Sequence, residues 1–343
     1  MNPGTQSAGP KEANRVELAG RVALVTGGSG DLGAAICRAL ARNKMDVTVT
    51  YAGEKERAER AVSEVEAAGC RAWAVRLDQS SSKEPDEVVA AAAQHFGRLD
   101  VLVNNAAWNI GIPFTDLDAL TPEIWDRMYA TNLRGPYLLA RAAARPMREQ
   151  GEGRIVNIGS IGGLYPSNSS IAYSCTKAGL IHLTRCLAVA LAPSVLVNCV
   201  APGLIEGTRM ADRLPDAVRA GALERAVLRR GASIDDIAEQ VVTFCRSDST
   251  TGAGAARRRG RSLPLSRDKR CHAREWSAGL GGYGAVVQKG SANRPNQSDL
   301  RKSAVKRRLS PTTAYSTKTR NTPIRNPKMR ATTMRTPAGP TSK

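Results

Sequence analysis

The sequence predicts a three-layer α/β domain built on a doubly wound, mostly parallel sheet. Three observations carry this: six short apolar runs, helix-periodic segments between them, and a glycine-rich turn joining the first run to the first helix. The runs are RVALVTG (21–27), VTVTY (47–51), RAWAVRLD (71–78), DVLVNNAA (100–107), RIVNIGS (154–160) and VLVNCVAPG (195–203). They are largely apolar rather than alternating, as strands covered on both faces are.

The first run is followed by AAICRALARNK (34–44), apolar at helical spacing, and the second by the polar helix KERAERAVSEVEAAG (55–69). Further helices are expected at about 84–96, from Glu123 to about Glu149 with an interruption near Gly135 and Pro136, and from about Ala172 to Leu191. Residues 204–232 hold few strand formers and several charges, which suits a helical lid. A last helix is expected at 234–246, where Ser233 and Asp236 are spaced as a capping box.

The 343 residues, 42% of them apolar, suffice for a sizeable core. The net charge of +19 is unevenly held: residues 1–251 carry 28 basic and 28 acidic side chains, residues 252–343 carry 22 and 3. Any partner drawn by positive charge would therefore meet the tail. No run approaches 18 apolar residues and residues 1–20 lack the apolar core of a secretory signal, so neither a membrane span nor export is expected. Seven scattered cysteines without a C-x-x-C pair, and only three histidines, point away from zinc and disulfides and toward a reducing cytoplasm. The organisation expected is a flexible arm (1–19), one α/β domain (20–251) and a basic tail (252–343). The tail's Ser, Thr, Pro, Gly and Arg content predicts disorder.

The turn TGGSGDLG (26–33) lets the backbone approach a pyrophosphate closely and offers the amides of a helix start. An ordinary βα turn also fits this stretch alone. An NAD site usually places a carboxylate about 20 residues beyond the glycines. Here Thr50, Tyr51, Ala52 and Gly53 supply none, whereas Lys55 and Arg57 could neutralise the 2'-phosphate of NADP(H). Glu54 argues the other way, and a solvated helix start accounts for the same charges, so NAD(H) stays an alternative.

Tyr173 and Lys177 are four residues apart, on one helix face, and Ser160 ends a strand, where functional side chains of such sheets emerge. Tyrosine can give a proton to a developing alkoxide, but a reference pKa of about 10 is ill matched to neutral pH. A nearby ammonium favours phenolate, and a serine hydroxyl can orient a carbonyl oxygen. Alone, Tyr and Lys at this spacing would be surface decoration; the glycine turn and the strand-end serine make them a candidate site.

These motifs closely resemble those of the short-chain dehydrogenase/reductase (SDR) family. TGGSGDLG resembles its TGxxxGxG turn, NNAA (104–107) its NNAG segment, and Ser160 with YSCTK (173–177) its Ser and YxxxK elements. Asn132 in TNLRG, APG (201–203) and Asp78 also match, and the likeness spans about residues 18–251. The resemblance implies a Rossmann-like fold. It makes Tyr173 the general acid/base and Ser160 the residue that positions the substrate carbonyl or hydroxyl. Lys177 would lower the tyrosine pKa and bind nicotinamide ribose, while the backbone around Asn132 would hold a water. It further implies cofactor contacts at Gly27, Ser29, Asp31, Leu32, Gly33, Asp78, Asn104, Ala106, Pro202, Gly203, Ile205 and Thr208. Family members commonly form homo-oligomers, often tetramers.

The chain departs from the pattern in four places. Asp31 replaces the middle glycine of the turn, which sets a carboxylate close to the expected pyrophosphate unless its side chain turns to the amides and caps the first helix, and Ala107 replaces the last glycine of NNAG. PGLIEGT (202–208) is one residue longer than the family's PGxIxT spacing. After SDSTTG the family's final strand and V-D-G-G turn give way to AGAARRRG (253–260), so the last strand is expected to be missing. That change resembles a shifted reading frame: codons for QALVVDG displaced by one nucleotide encode AGARRRR.

The function expected is hydride transfer between NADP(H) and a carbonyl/alcohol substrate, in the manner of 3-oxoacyl-thioester reductases. Substrate contacts would come from the loops at 108–118, 161–171 and 204–230, where Trp108, Ile110, Ile112, Pro113 and Phe114 line an apolar pocket or pack against the lid. The alternative is a catalytically impaired relative whose tail, with RKSAVKRR (301–308), binds nucleic acid non-specifically.

Overall fold

Strand β1 (Val22–Val25) is apolar on both faces, and both are buried: Val22 and Leu24 enter one core, Ala23 and Val25 the other. In the computed structural model, which describes residues 16–166, 169–226 and 228–256, this strand sits inside a parallel sheet. Its companions are β2 (Asp46–Tyr51), β3 (Ala72–Arg76), β4 (Val101–Asn104), β5 (Gly153–Ile158), β6 (Val195–Ala201) and β7 (Gly254–Ala256). The order is β3-β2-β1-β4-β5-β6-β7. Winding reverses between β1 and β4, which opens a crevice beyond the C-terminal strand ends.

One face is covered by α1 (Asp31–Arg42), α2 (Lys55–Ala67) and α9 (Ile234–Arg246), through Ile36, Leu40, Val65 and Val241. The other carries α3 (Glu84–Phe96), α5 (Gly135–Glu149) and α6 (Ile171–Leu191), through Val89, Leu139, Met147 and Leu187. Between β4 and α5 lies α4 (Pro122–Tyr129), and between β6 and α9 the excursion forms α7 (Arg209–Asp212) and α8 (Asp216–Arg225), which buries no residue. The Ser233 hydroxyl accepts the Asp236 amide at 3.0 Å, as its cap spacing predicts.

Two expectations are corrected. The sheet has a seventh strand: β7 is short and lacks β-branched residues, which hides it from a propensity reading, yet it pairs in parallel with Cys199–Ala201. The chain before it is organised by the open edge of β6, with Gly252 N donating to Val197 O at 2.7 Å and Cys199 N to Ala253 O at 2.9 Å. Residues 254–256 thus extend the sheet beyond Thr251. Residues 16–19 are also part of the domain: Leu18 is buried and Val16 N donates to Arg246 O. The long helix is interrupted where expected: a π turn, Ala130–Arg134, leads directly into Gly135, and Pro136 sits in the first turn of α5.

Residues 1–15 and 257–343 lie outside the described residues, and with them most of the arm and tail and the flexibility, disorder, reading-frame shift and nucleic-acid binding expected there. Among the described residues no helix is long and apolar enough to cross a membrane.

Candidate active site

The glycine turn is shaped by contacts that admit no larger residue. Gly27 has φ of +62°, and a Cβ on Gly33 would lie 2.1 Å from Gly27 O. Thr26 is buried beneath the turn and its hydroxyl accepts the amides of Asn105 (3.0 Å) and Ala106 (2.9 Å), while Gly27 N donates to Thr50 Oγ1 at 3.1 Å. Gly30, the N-cap of α1, brings no capping side chain. The first-turn amides, including those of Asp31 and Leu32, have no acceptor within the helix. A glycine cradle before an uncapped helix start fits a cofactor pyrophosphate.

Asp31 does not cap α1. As the first residue of the helix it turns its carboxylate outward, to Arg57 Nη2 at 2.7 Å and to the amide of Arg209 at 2.8 Å. Its burial raises the pKa, but the Arg209 amide and the Arg57 and Arg209 guanidiniums outweigh this and hold the carboxyl below its ordinary value. Arg57 Nε also donates to Ser29 O at 2.9 Å. Lys55 does not join them: it is exposed and pairs with Glu59 at 3.0 Å along its own helix.

Asp78 is held ready as an ionised acceptor. The hydroxyl and amide of Ser80 both donate to its Oδ1, at 2.6 and 2.9 Å, and the hydroxyl is the main cause of its lowered pKa. Asn104 faces away from the crevice. Its amide nitrogen donates to Asn157 Oδ1 at 2.9 Å, and Asn157 Nδ2 donates to Thr184 Oγ1 at 2.9 Å, a buried chain from β4 through β5 to α6. Its neighbour Asn105, which sequence reasoning passed over, does face the crevice and donates to Thr26 O at 2.9 Å and Gly27 O at 3.2 Å. Ala106 lies against Gly27, whose added Cβ would come within 3.1 Å of the alanine methyl.

Ser160 ends the β5 segment, accepting Gly162 N at 3.0 Å, and its hydroxyl is close enough to the Tyr173 phenol to act on its pKa. The Ser170 hydroxyl caps α6, and so fixes the turn that carries Tyr173. Burial pushes the Tyr173 phenol above its ordinary pKa, with the Ser160 bond pulling the other way. The Lys177 ammonium lies 5.7 Å from the Tyr173 ring centroid and donates to Ile158 O at 2.8 Å, and burial holds it down to about 8.

Asn132 is fully buried in the π turn. Its side chain exchanges two 2.8 Å hydrogen bonds with the backbone of Trp108, and its Nδ2 lies 3.4 Å from Thr176 Oγ1. The wider turn is pinned from outside by Gln79, whose amide donates to Thr131 O at 2.7 Å and Ala106 O at 3.1 Å. No motif marks Gln79; only its place after Asp78 could have drawn attention to it.

The far wall follows β6. Pro202 O accepts Ile161 N at 2.9 Å, Gly203 faces Ile161, and Ile205 forms a parallel bridge with Ala232. The Thr208 hydroxyl is taken up locally, donating to Ile205 O at 2.9 Å and accepting Ala211 N at 3.2 Å as the cap of α7. Of the apolar loop, Ile112 is buried and Ile110 exposed, while Trp108 packs on the cluster of Met128 and Tyr173 under the Arg127 guanidinium.

A glycine cradle at the switch point of a parallel sheet, with a serine, tyrosine and lysine across the crevice, defines a dinucleotide-dependent oxidoreductase with a Rossmann-like fold. The chain belongs to the short chain dehydrogenase family, whose model matches residues 21–219, and is an NAD(P)-dependent short-chain dehydrogenase/reductase. It is 39% identical to the granaticin polyketide synthase putative ketoacyl reductase 2 of Streptomyces violaceoruber, over 67% of this chain and 92% of the relative. It is 37% identical to the 3-oxoacyl-(acyl-carrier-protein) reductase FabG of Staphylococcus aureus, over 66% of this chain and 90% of the relative. Among solved structures, a short chain dehydrogenase from Burkholderia cenocepacia in complex with NADP superposes with a TM-score of 0.66 at 35% identity, covering 71% of this chain and 99% of that one.

Proposed function

We propose that this protein reduces the carbonyl of a 3-oxoacyl thioester or a related ketone with NADPH. The placing of Ser160 at the end of the β5 segment beside Tyr173 and Lys177 of α6, at the same crevice as the glycine cradle, carries this reading. The nicotinamide, when bound, supplies the hydride. Ser160 donates a hydrogen bond to the substrate carbonyl oxygen, and Tyr173 passes its phenolic proton to that oxygen as negative charge develops on it. A raised phenol pKa keeps this proton in place at neutral pH, so Tyr173 is loaded for reduction. Lys177, buried beside it with a pKa near 8, can hand a proton inward and be recharged near neutrality.

Arg57 supports the choice of NADP(H), because it reaches the glycine turn and β2 ends without a ribose-binding carboxylate. The NADP in the Burkholderia structure and the names of the two reductases support the same reading. The test is kcat/KM for NADPH and NADH on one 3-oxoacyl thioester. A charge-assisted contact to the 2'-phosphate predicts at least about tenfold preference for NADPH. Equal values, or a preference for NADH, would remove the assignment.

A further inference from the structure

Two guanidiniums from distant parts of the chain converge at the end of β2. Arg57 belongs to α2 and Arg209 opens α7 of the lid, and both are held by the same two carboxylates. Arg57 binds Asp31 at 2.7 Å and lies 3.7 Å from Glu54. Arg209 Nε lies 3.5 Å from Asp31, while its Nη1 reaches both oxygens of Glu54, at 3.1 and 3.2 Å.

The two holds on Arg209 differ in kind. Its backbone amide donates to Asp31 Oδ2 at 2.8 Å, a contact that anchors the start of α7 to the glycine turn. Its guanidinium is 43% exposed and rests mainly on Glu54, itself 55% exposed. Surface ion pairs of this kind hold weakly, because water solvates both partners nearly as well. The side chain can therefore leave Glu54 while the backbone stays in place. Two cations and two anions balance here, so a dianionic phosphate arriving among them needs at least one arginine to exchange partners.

We propose that Arg209 is a specificity-determining residue, a second cationic ligand for the cofactor's 2'-phosphate that swings from Glu54 to join Arg57. Asp31, at the position of a motif glycine, keeps the lid close enough for this by binding the Arg209 amide. The inference rests on the NADP(H) reading above and adds a lid residue to it. It also gives the family-atypical carboxylate a use: it secures a lid arginine at the price of sitting near the pyrophosphate.

The test reads binding without turnover. Calorimetric titration of the full chain with adenosine 2',5'-bisphosphate and with 5'-AMP separates the extra phosphate from the rest of the nucleotide. Arg209→Ala is expected to weaken the bisphosphate by about tenfold and leave 5'-AMP within about twofold, as loss of one charge-assisted contact implies. Glu54→Gln, which releases Arg209, is expected to tighten the bisphosphate. Unchanged 5'-AMP binding certifies that each variant is folded, and Arg209→Gln serves as a second, milder substitution. If both Arg209 variants bind the bisphosphate like the parent, the inference is overturned while the NADP(H) reading stands. A parent that does not bind the bisphosphate more tightly than 5'-AMP overturns both.

Discussion

Lys177 donates to the carbonyl oxygen of Ile158 at 2.8 Å, and both residues are closed off from water. This contact satisfies one of the three ammonium protons and leaves a buried charge under the site, so the amine titrates at about 8 rather than its ordinary 10.5.

Stability should carry the signature of that charge. Between pH 8 and 10.5 the unfolded chain keeps the Lys177 proton that the folded chain has lost, so its contribution to stability rises with pH across this window. Below about 8 the penalty is present in full. Lys177→Met removes this dependence. In urea unfolding at pH 7.5 and pH 10, the stability of the variant relative to the parent should fall as pH rises. A relative stability that does not change would show that Lys177 keeps an ordinary pKa.

Tyr173→Phe leaves the ring in the Met128 cluster and deletes only the hydroxyl that meets Ser160. Turnover on a 3-oxoacyl thioester should fall by about two orders of magnitude or more, the scale of positioned acid catalysis, with nucleotide binding retained. Equal steady-state rates for variant and parent would sink the proton-donor assignment.

The thiols divide sharply. Burial pushes Cys37 and Cys245 up to about 12 and Cys199 up to about 11, whereas Cys175 and Cys186 are exposed on α6. Brief alkylation of the native protein at pH 8, followed by peptide mass mapping, should mark Cys175 and Cys186 and spare the buried Cys37, Cys70, Cys199 and Cys245 until the chain is denatured. Modification of Cys245 in the native fold would contradict its place on the buried face of α9.

How far the sequence could be read depended on the range of each interaction. Gly27, Gly33, Ser160, Tyr173 and Lys177 were legible because a turn, a strand end and one helix face are local patterns. Arg209 was not, since its partner Asp31 is 178 residues away and nothing in either neighbourhood announces the other. The choice between Lys55 and Arg57 was decided by side-chain direction along α2, and that between Asn104 and Asn105 by which face of the strand end each occupies. The upward shift of Tyr173 depends on burial, which the four-residue spacing to Lys177 does not encode. Strand β7 escaped notice because its pairing is imposed by β6 rather than by its own residues.

The buried chain Asn104–Asn157–Thr184 also acts on assembly of the domain. Asn104 and Asn157 are register partners in β4 and β5, and Thr184 lies above them on α6. Apolar strands can slide past one another with little change in buried area, but here a slide of two residues would part Asn104 from Asn157 and Asn157 from Thr184, leaving the Asn157 amide among hydrocarbon while Thr184 keeps its bond to Leu180 O. An unpaired buried amide group costs roughly 1–3 kcal/mol, more than most single apolar contacts return. The three side chains thus work as a key cut for one alignment, so the strand ends that carry Ser160 and the NNAA loop arrive at the same height whenever the core closes.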